Sequence, residues 1–75
     1  LPPPTLDQRI EACIKHFDFS LDWKGERQGV LEMRRHYANY FKGMNNFKPF
    51  RTRLVETLDP QEVYMIIEEV RQYYS

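Results

Sequence analysis

The sequence predicts an all-α protein, a compact antiparallel four-helix bundle. Three observations carry that expectation. Apolar residues recur every three or four positions in four separate stretches, helix start and stop signals bracket those stretches, and none of the chain shows the sustained two-residue alternation of a half-buried strand. Short connections between amphipathic helices favour antiparallel neighbours. At 75 residues the chain has room for one domain.

The first helix starts at Thr5, whose hydroxyl and the Gln8 amide have capping-box spacing and can satisfy two orphan donors reciprocally. Leu6, Ile10, Cys13, Ile14, Phe17 and Leu21 form its apolar stripe, and Gly25 after Lys24 is expected as a left-handed cap. The aromatic density at Phe17, Phe19 and Trp23 is expected to distort the last turn. The second helix is predicted from Glu26 or Arg27 to Lys42, closed by Gly43. Val30, Met33, Tyr37, Tyr40, Phe41 and Met44 make its apolar face, with Ala38 small enough for close packing. Gly29 should weaken it by roughly 1 kcal/mol relative to alanine. Glu32, Arg35, Asn39 and Lys42 line up on the opposite face.

The third helix is predicted over 47–57, with Asn46 as cap and Pro49 tolerated in the first turn. Phe47, Phe50, Leu54 and Leu58 would form its buried ridge, leaving Lys48, Arg51, Thr52 and Arg53 towards solvent. The fourth has the clearest start: Asp59 as cap, Pro60 at the first helical position and Glu62 completing a box-like pair. Leu58 and Val63 have the spacing of a hydrophobic staple. Val63, Ile66, Ile67, Val70 and Tyr74 make the stripe.

A net charge of zero conceals an uneven distribution. Between Lys24 and Arg53 eight cations face two acids, a balance of +6, and the remainder is therefore −6. Such a dipolar layout points the middle of the chain at an anionic partner. No apolar run approaches the length of a membrane span, and the N-terminus lacks a signal-peptide layout. Cys13 has no second cysteine to pair with, which fits a reducing, cytoplasmic setting. Leu1-Pro2-Pro3-Pro4 reads as a stiff linker, so residues 1–5 are taken as a linker from a missing N-terminal domain and 6–75 as the helical module, expected to be a monomer.

Catalytic constellations are not found. Cys13 and His16 make half a zinc site at best, and no CxxC or HExxH spacing accompanies them. Cys13 belongs to the core stripe, where an inert thiol is the simpler reading. Glu68 and Glu69 are adjacent and point to different faces of a helix. No Gly-rich phosphate loop and no GxSxG elbow occur, so no enzyme is expected within these residues. The segment Arg34-Arg35-His36-Tyr37-Ala38-Asn39-Tyr40-Phe41-Lys42-Gly43 is different, because it mixes cations, an amide and aromatics. Guanidinium groups fork onto phosphates and exposed rings stack on bases, which suits RNA. For Tyr37 and Phe41 an inward, packing role is favoured. Arg35, Asn39 and Lys42 lie on the outer face.

That segment, preceded by Gly25-Glu26-Arg27-Gln28-Gly29, resembles the C-terminal helical domain of bacterial tRNA-dihydrouridine synthases, especially the B type. The family has an Arg-Lys/Arg-His…Tyr core here, often ending in Lys-Gly, and enters the domain through a Pro-rich linker. Phe50-Arg51-Thr52-Arg53-Leu54 and the final helix also fit. The resemblance implies a parent enzyme with an FMN-dependent (β/α)8 barrel that reduces uridine in tRNA using NADPH, with a barrel cysteine as acid. Cys13 does not correspond to that cysteine. Position by position, Arg34, Arg35, His36, Tyr40 and Lys42 match the family's motif. The family often has Trp where this chain has Asn39, so no stacking role carries over there, and Arg51 and Arg53 match loosely.

The expectation is therefore a tRNA-binding recognition domain, itself without cofactor or metal, that partners tRNA and its own N-terminal catalytic barrel. Its expected contact residues are Arg34, Arg35, His36, Asn39, Tyr40, Lys42, Lys48, Arg51 and Arg53. Two other readings remain open: a helical interaction module that packs on its own catalytic domain without touching RNA, and a helix-turn-helix DNA binder using the Gly43–Asn46 turn. The latter would open its recognition helix with Phe47, Lys48 and Pro49, a poor start for reading base edges.

Overall fold

The computed structural model describes residues 3–74, so Leu1 and Pro2 of the expected linker lie outside the described residues. The described chain is all-α, with five helices: α1 (Leu6–Lys24), α2 (Glu26–Arg34), α3 (Tyr37–Tyr40), α4 (Lys48–Glu56) and α5 (Pro60–Tyr74).

Local chemistry fixes the helix starts that carry a side-chain cap. At α1 the Thr5 hydroxyl accepts from the Gln8 amide N–H at 3.1 Å and the Gln8 side chain accepts from the Thr5 N–H at 2.9 Å. At α5 the Asp59 carboxylate accepts from the Gln61 N–H at 3.0 Å, and the Thr57 hydroxyl accepts from the Asp59 N–H at 3.1 Å. Gly25 ends α1 with φ 85° and ψ 171°, a positive-φ region outside the left-handed helical basin and open essentially to glycine alone. The last turn of α1 is regular. Phe17 is fully buried, while Phe19 and Trp23 turn outward and stack with centroids 6.2 Å apart. The expected distortion does not occur, because these rings leave the packed face.

The long second helix is the principal correction. It breaks at Arg35 and His36 into α2 and α3, where the His36 N–H tightens onto the Met33 carbonyl at 2.9 Å. Neither Gly nor Pro stands at the break. Residues His36, Tyr37, Asn39 and Tyr40 are weak helix formers, so contacts outside the segment decide its path. The His16 ring and the Tyr40 hydroxyl are 2.9 Å apart, and Glu32 pairs with both Lys24 (3.1 Å) and His36 (3.6 Å). Two smaller corrections concern α4. Asn46 adopts φ 61° within the turn, so it does not cap the helix, and Phe47 takes that position without a side-chain hydrogen bond. Asn tolerates left-handed backbone better than most residues, which is what the turn uses. Leu58 is 45% exposed and so forms neither the buried ridge nor a buried staple with Val63.

One core joins all five helices. Ile10, Cys13 and Phe17 of α1 meet Val30 and Met33 of α2, Tyr37 of α3, Leu54 of α4 and Val63, Ile66, Ile67 and Val70 of α5. Phe41 and Phe47 bracket the α3–α4 turn and stack at 4.6 Å, and Phe50 carries the aromatic series to Tyr73 and Tyr74. This ladder fixes the turn and with it the position of α3 between α1 and α4. No helix among the described residues is long and apolar enough to cross a membrane.

Candidate nucleic-acid interface

The break in the second helix divides the sequence-predicted residues into two sets. Arg34, His36 and Tyr40 are half-buried and engaged within the protein. The Arg34 guanidinium reaches the Thr57 carbonyl at 3.4 Å, and its Nε lies buried without a hydrogen-bond partner, so this side chain packs α2 against the end of α4. His36 stands beside Glu32, with its ring 4.6 Å from that of His16. The Tyr40 hydroxyl meets the His16 ring, and burial raises that hydroxyl above the usual tyrosine range. These contacts hold α3 onto α1. The Lys24 ammonium, hydrogen-bonded to Glu32, keeps that carboxyl below its ordinary range.

Arg35, Asn39, Lys42, Lys48 and Arg51 are exposed, and none of these four cations forms a salt bridge among the described residues. Arg53 differs. Both its terminal nitrogens meet the Glu69 carboxylate at 2.8 Å, a fork-on-fork pair that raises the guanidinium and lowers the carboxyl. Its charge is directed to α5, away from α3.

Two open grooves flank α3. On the α4 side, Tyr37, Ala38, Phe41, Met44, Asn46, Phe47, Lys48 and Arg51 line about 480 Å³. On the α1 side, Pro4, Gln8, Arg9, Ala12, Asn39, Tyr40 and Lys42 line about 350 Å³. Among the described residues, no carboxylate lines either one. By contrast, Glu68 and Glu69 line a groove against α5, and Glu56, Asp59 and Glu62 line another beside the α4–α5 connection. The acids near α1 are likewise occupied elsewhere: Glu11 bonds Arg71 at 3.1 Å, and the Tyr64 hydroxyl donates to Asp18. Both grooves beside α3 are thus basic, while Glu32 at the α2–α3 break answers Lys24 and His36.

Arg9 belongs to this surface and was not among the residues singled out from the sequence. Its Nη1 donates to the Lys42 carbonyl at 3.0 Å, 33 positions along the chain. In the sequence Arg9 lies in the acidic portion, next to the buried Ile10, and nothing local marks it. Only the packing of α1 on α3 brings it to Lys42.

No group of three or more His, Cys, Asp or Glu side chains among the described residues is placed to hold a metal ion. Fold and site together define a small helical module with two basic grooves, neither lined by a carboxylate among the described residues, beside a short helix. Known proteins narrow this further. The chain is similar to a protein named "Probable tRNA-dihydrouridine synthase" from Rickettsia typhi, 29% identical over 73 residues that are 97% of this chain and 21% of that protein. Proteins of the same name from Rickettsia bellii and Rickettsia prowazekii are 26% and 27% identical, over 99% and 97% of the chain. The chain therefore spans about a fifth of the length of the curated relatives it matches. No protein-family model matches it, and no solved structure does.

Proposed function

We propose that this chain is the tRNA-recognition module of a dihydrouridine synthase, a C-terminal domain of the B type. The observation that carries the reading is the pair of carboxylate-free grooves beside α3, which hold Lys42 and Arg9 on one side and Lys48 and Arg51 on the other. Lys42 in the groove towards α1, Lys48 and Arg51 in the groove towards α4, and the exposed Arg35 at the α2–α3 break take phosphates of the tRNA backbone. Asn39 offers a neutral amide in the same groove as Lys42. Arg34, His36 and Tyr40 act by holding this surface in place. Arg53 joins the contact only by leaving Glu69.

Reduction of uridine belongs, in this reading, to the remainder of a longer protein that works in the cytoplasm. FMN and NADPH, which the resemblance implies, would supply the hydride chemistry there. The three glycines stand at a helix end (Gly25), under Leu21 (Gly29) and in the α3 exit turn (Gly43), and none forms a phosphate-cradling loop. The module grips the substrate while the target base is turned out of its stack.

A second reading has its own support. Phe19 (64%), Trp23 (74%), Met65 (65%) and Tyr73 (58%) are large exposed apolar side chains that line neither basic groove, suited to packing on the rest of the longer protein. The two roles use different residues and are separable by substitution. In the full-length protein, deletion of 6–75 is expected to abolish measurable tRNA binding at physiological salt while bound FMN stays stoichiometric. Undiminished tRNA affinity in the deletion would leave only the packing role.

A further inference from the structure

We propose that the groove between α1 and α3 is a nucleotide subsite in which Arg9 and Lys42 hold one RNA phosphate and Asn39 meets the attached nucleoside. The proposal rests on the tRNA-binding reading and deepens it, since it names where on that surface a single nucleotide seats.

Preorganisation is the first support. The Arg9 guanidinium is fixed by its Nη1 bond to the Lys42 carbonyl at 3.0 Å, so its remaining donors are held in one place beside the Lys42 residue. A guanidinium offers five donors, and one carbonyl uses one of them. The residue is only half-buried, which leaves the fork accessible. The second support is electrostatic. Acids on the same helix are drawn to the opposite side, with Glu11 bonded to Arg71 and Asp7 also contributing to the stabilisation of the Arg71 charge. The groove itself is lined by two cations, two amides, a tyrosine, a proline and an alanine, and by no carboxylate. Third comes size. A groove of about 350 Å³ falls at the small end of ligand sites, which suits one nucleotide rather than a base-paired segment. The Tyr40 ring and the Pro4 pyrrolidine supply apolar wall, while Gln8 and Asn39 supply donors and acceptors for base or ribose edges.

The test uses the full-length protein and tRNA, with binding followed by fluorescence anisotropy across a salt series. Arg9→Gln removes the charge and Arg9→Lys keeps it. Arg9→Gln should weaken binding roughly three- to tenfold and flatten the salt dependence by about one phosphate's worth, with a slope change of about 0.7 to 0.9. Arg9→Lys should restore the slope and part of the affinity. Asn39→Ala should weaken binding without changing the slope. A merely structural role for Arg9 would move the melting temperature and leave the slope intact, so unchanged slope in Arg9→Gln overturns the subsite. If wild-type protein binds tRNA without salt dependence, the broader reading falls first. If wild-type binding is salt-dependent and weakened by Arg51→Ala but not by Arg9→Gln, only the subsite falls.

Discussion

Cys13 shows how a residue's surroundings decide its chemistry. It is fully buried among Ile10, Phe17 and the α2–α3 core, and burial pushes its thiol up to about 12. A thiol that stays protonated at neutral pH is a poor nucleophile, so its place is in packing. Labelling by a thiol reagent at pH 8 should be slower in the folded protein than in denaturant by roughly two orders of magnitude or more, set by opening of the core. Rapid labelling of the folded chain would show that the α1 face is wrongly placed. The buried side of Cys13 follows directly from the 3.6-residue stripe. The engagement of Arg34 does not, because its contact with Thr57 joins residues 23 positions apart. Arg9 is the same kind of case.

Among the elements, Gly29 carries the clearest consequence. Propensity alone makes it a weak point that alanine would improve by roughly 1 kcal/mol. The fold reverses that expectation, since a Cβ built there lies 3.0 Å from the Leu21 backbone N and Cα. Backbone atoms in a packed helix yield little, and overpacking costs about 1–3 kcal/mol. Gly29→Ala should therefore destabilise the protein by about 1 kcal/mol net in a urea titration, and a stabilised variant would mean that α1 and α2 are packed more loosely. Starts and stops such as Thr5 with Gln8, Gly25, and Asp59 with Pro60 were legible because capping is short-range hydrogen bonding. The break at Arg35–His36 was not. It depends on His16, Lys24 and the aromatic ladder from Phe41 to Phe50, and periodicity continues across it without a mark. Asn46 was misplaced for a related reason: it suits both a cap and a left-handed turn, and only the Phe41–Phe47 stack selects the turn.

At the scale of the whole molecule, folding sorts the charge that the sequence only divides. Of the eight cations between Lys24 and Arg53, Lys24 and Arg53 pair with Glu32 and Glu69, and Arg34 turns to a carbonyl. Arg27, Arg35, Lys42, Lys48 and Arg51 stay exposed without a salt bridge among the described residues. The sequence showed the exposure of Arg35, Lys42, Lys48 and Arg51 but not the two grooves that hold the last three, which need α3 set against α1 and α4. If three to five phosphates are neutralised on this surface, log K for tRNA should fall against log salt with a slope of roughly −2 to −4. The most direct measurement is that slope in the full-length protein, comparing wild type with the Arg35→Ala, Lys42→Ala double variant and using duplex DNA of matched length as competitor. Neither side chain belongs to the core, so the variant should melt as wild type does. Weaker tRNA binding and a slope flatter by about two units are expected. Unchanged affinity together with an unchanged slope would contradict the tRNA-binding reading and leave the module as a surface for packing on its own protein.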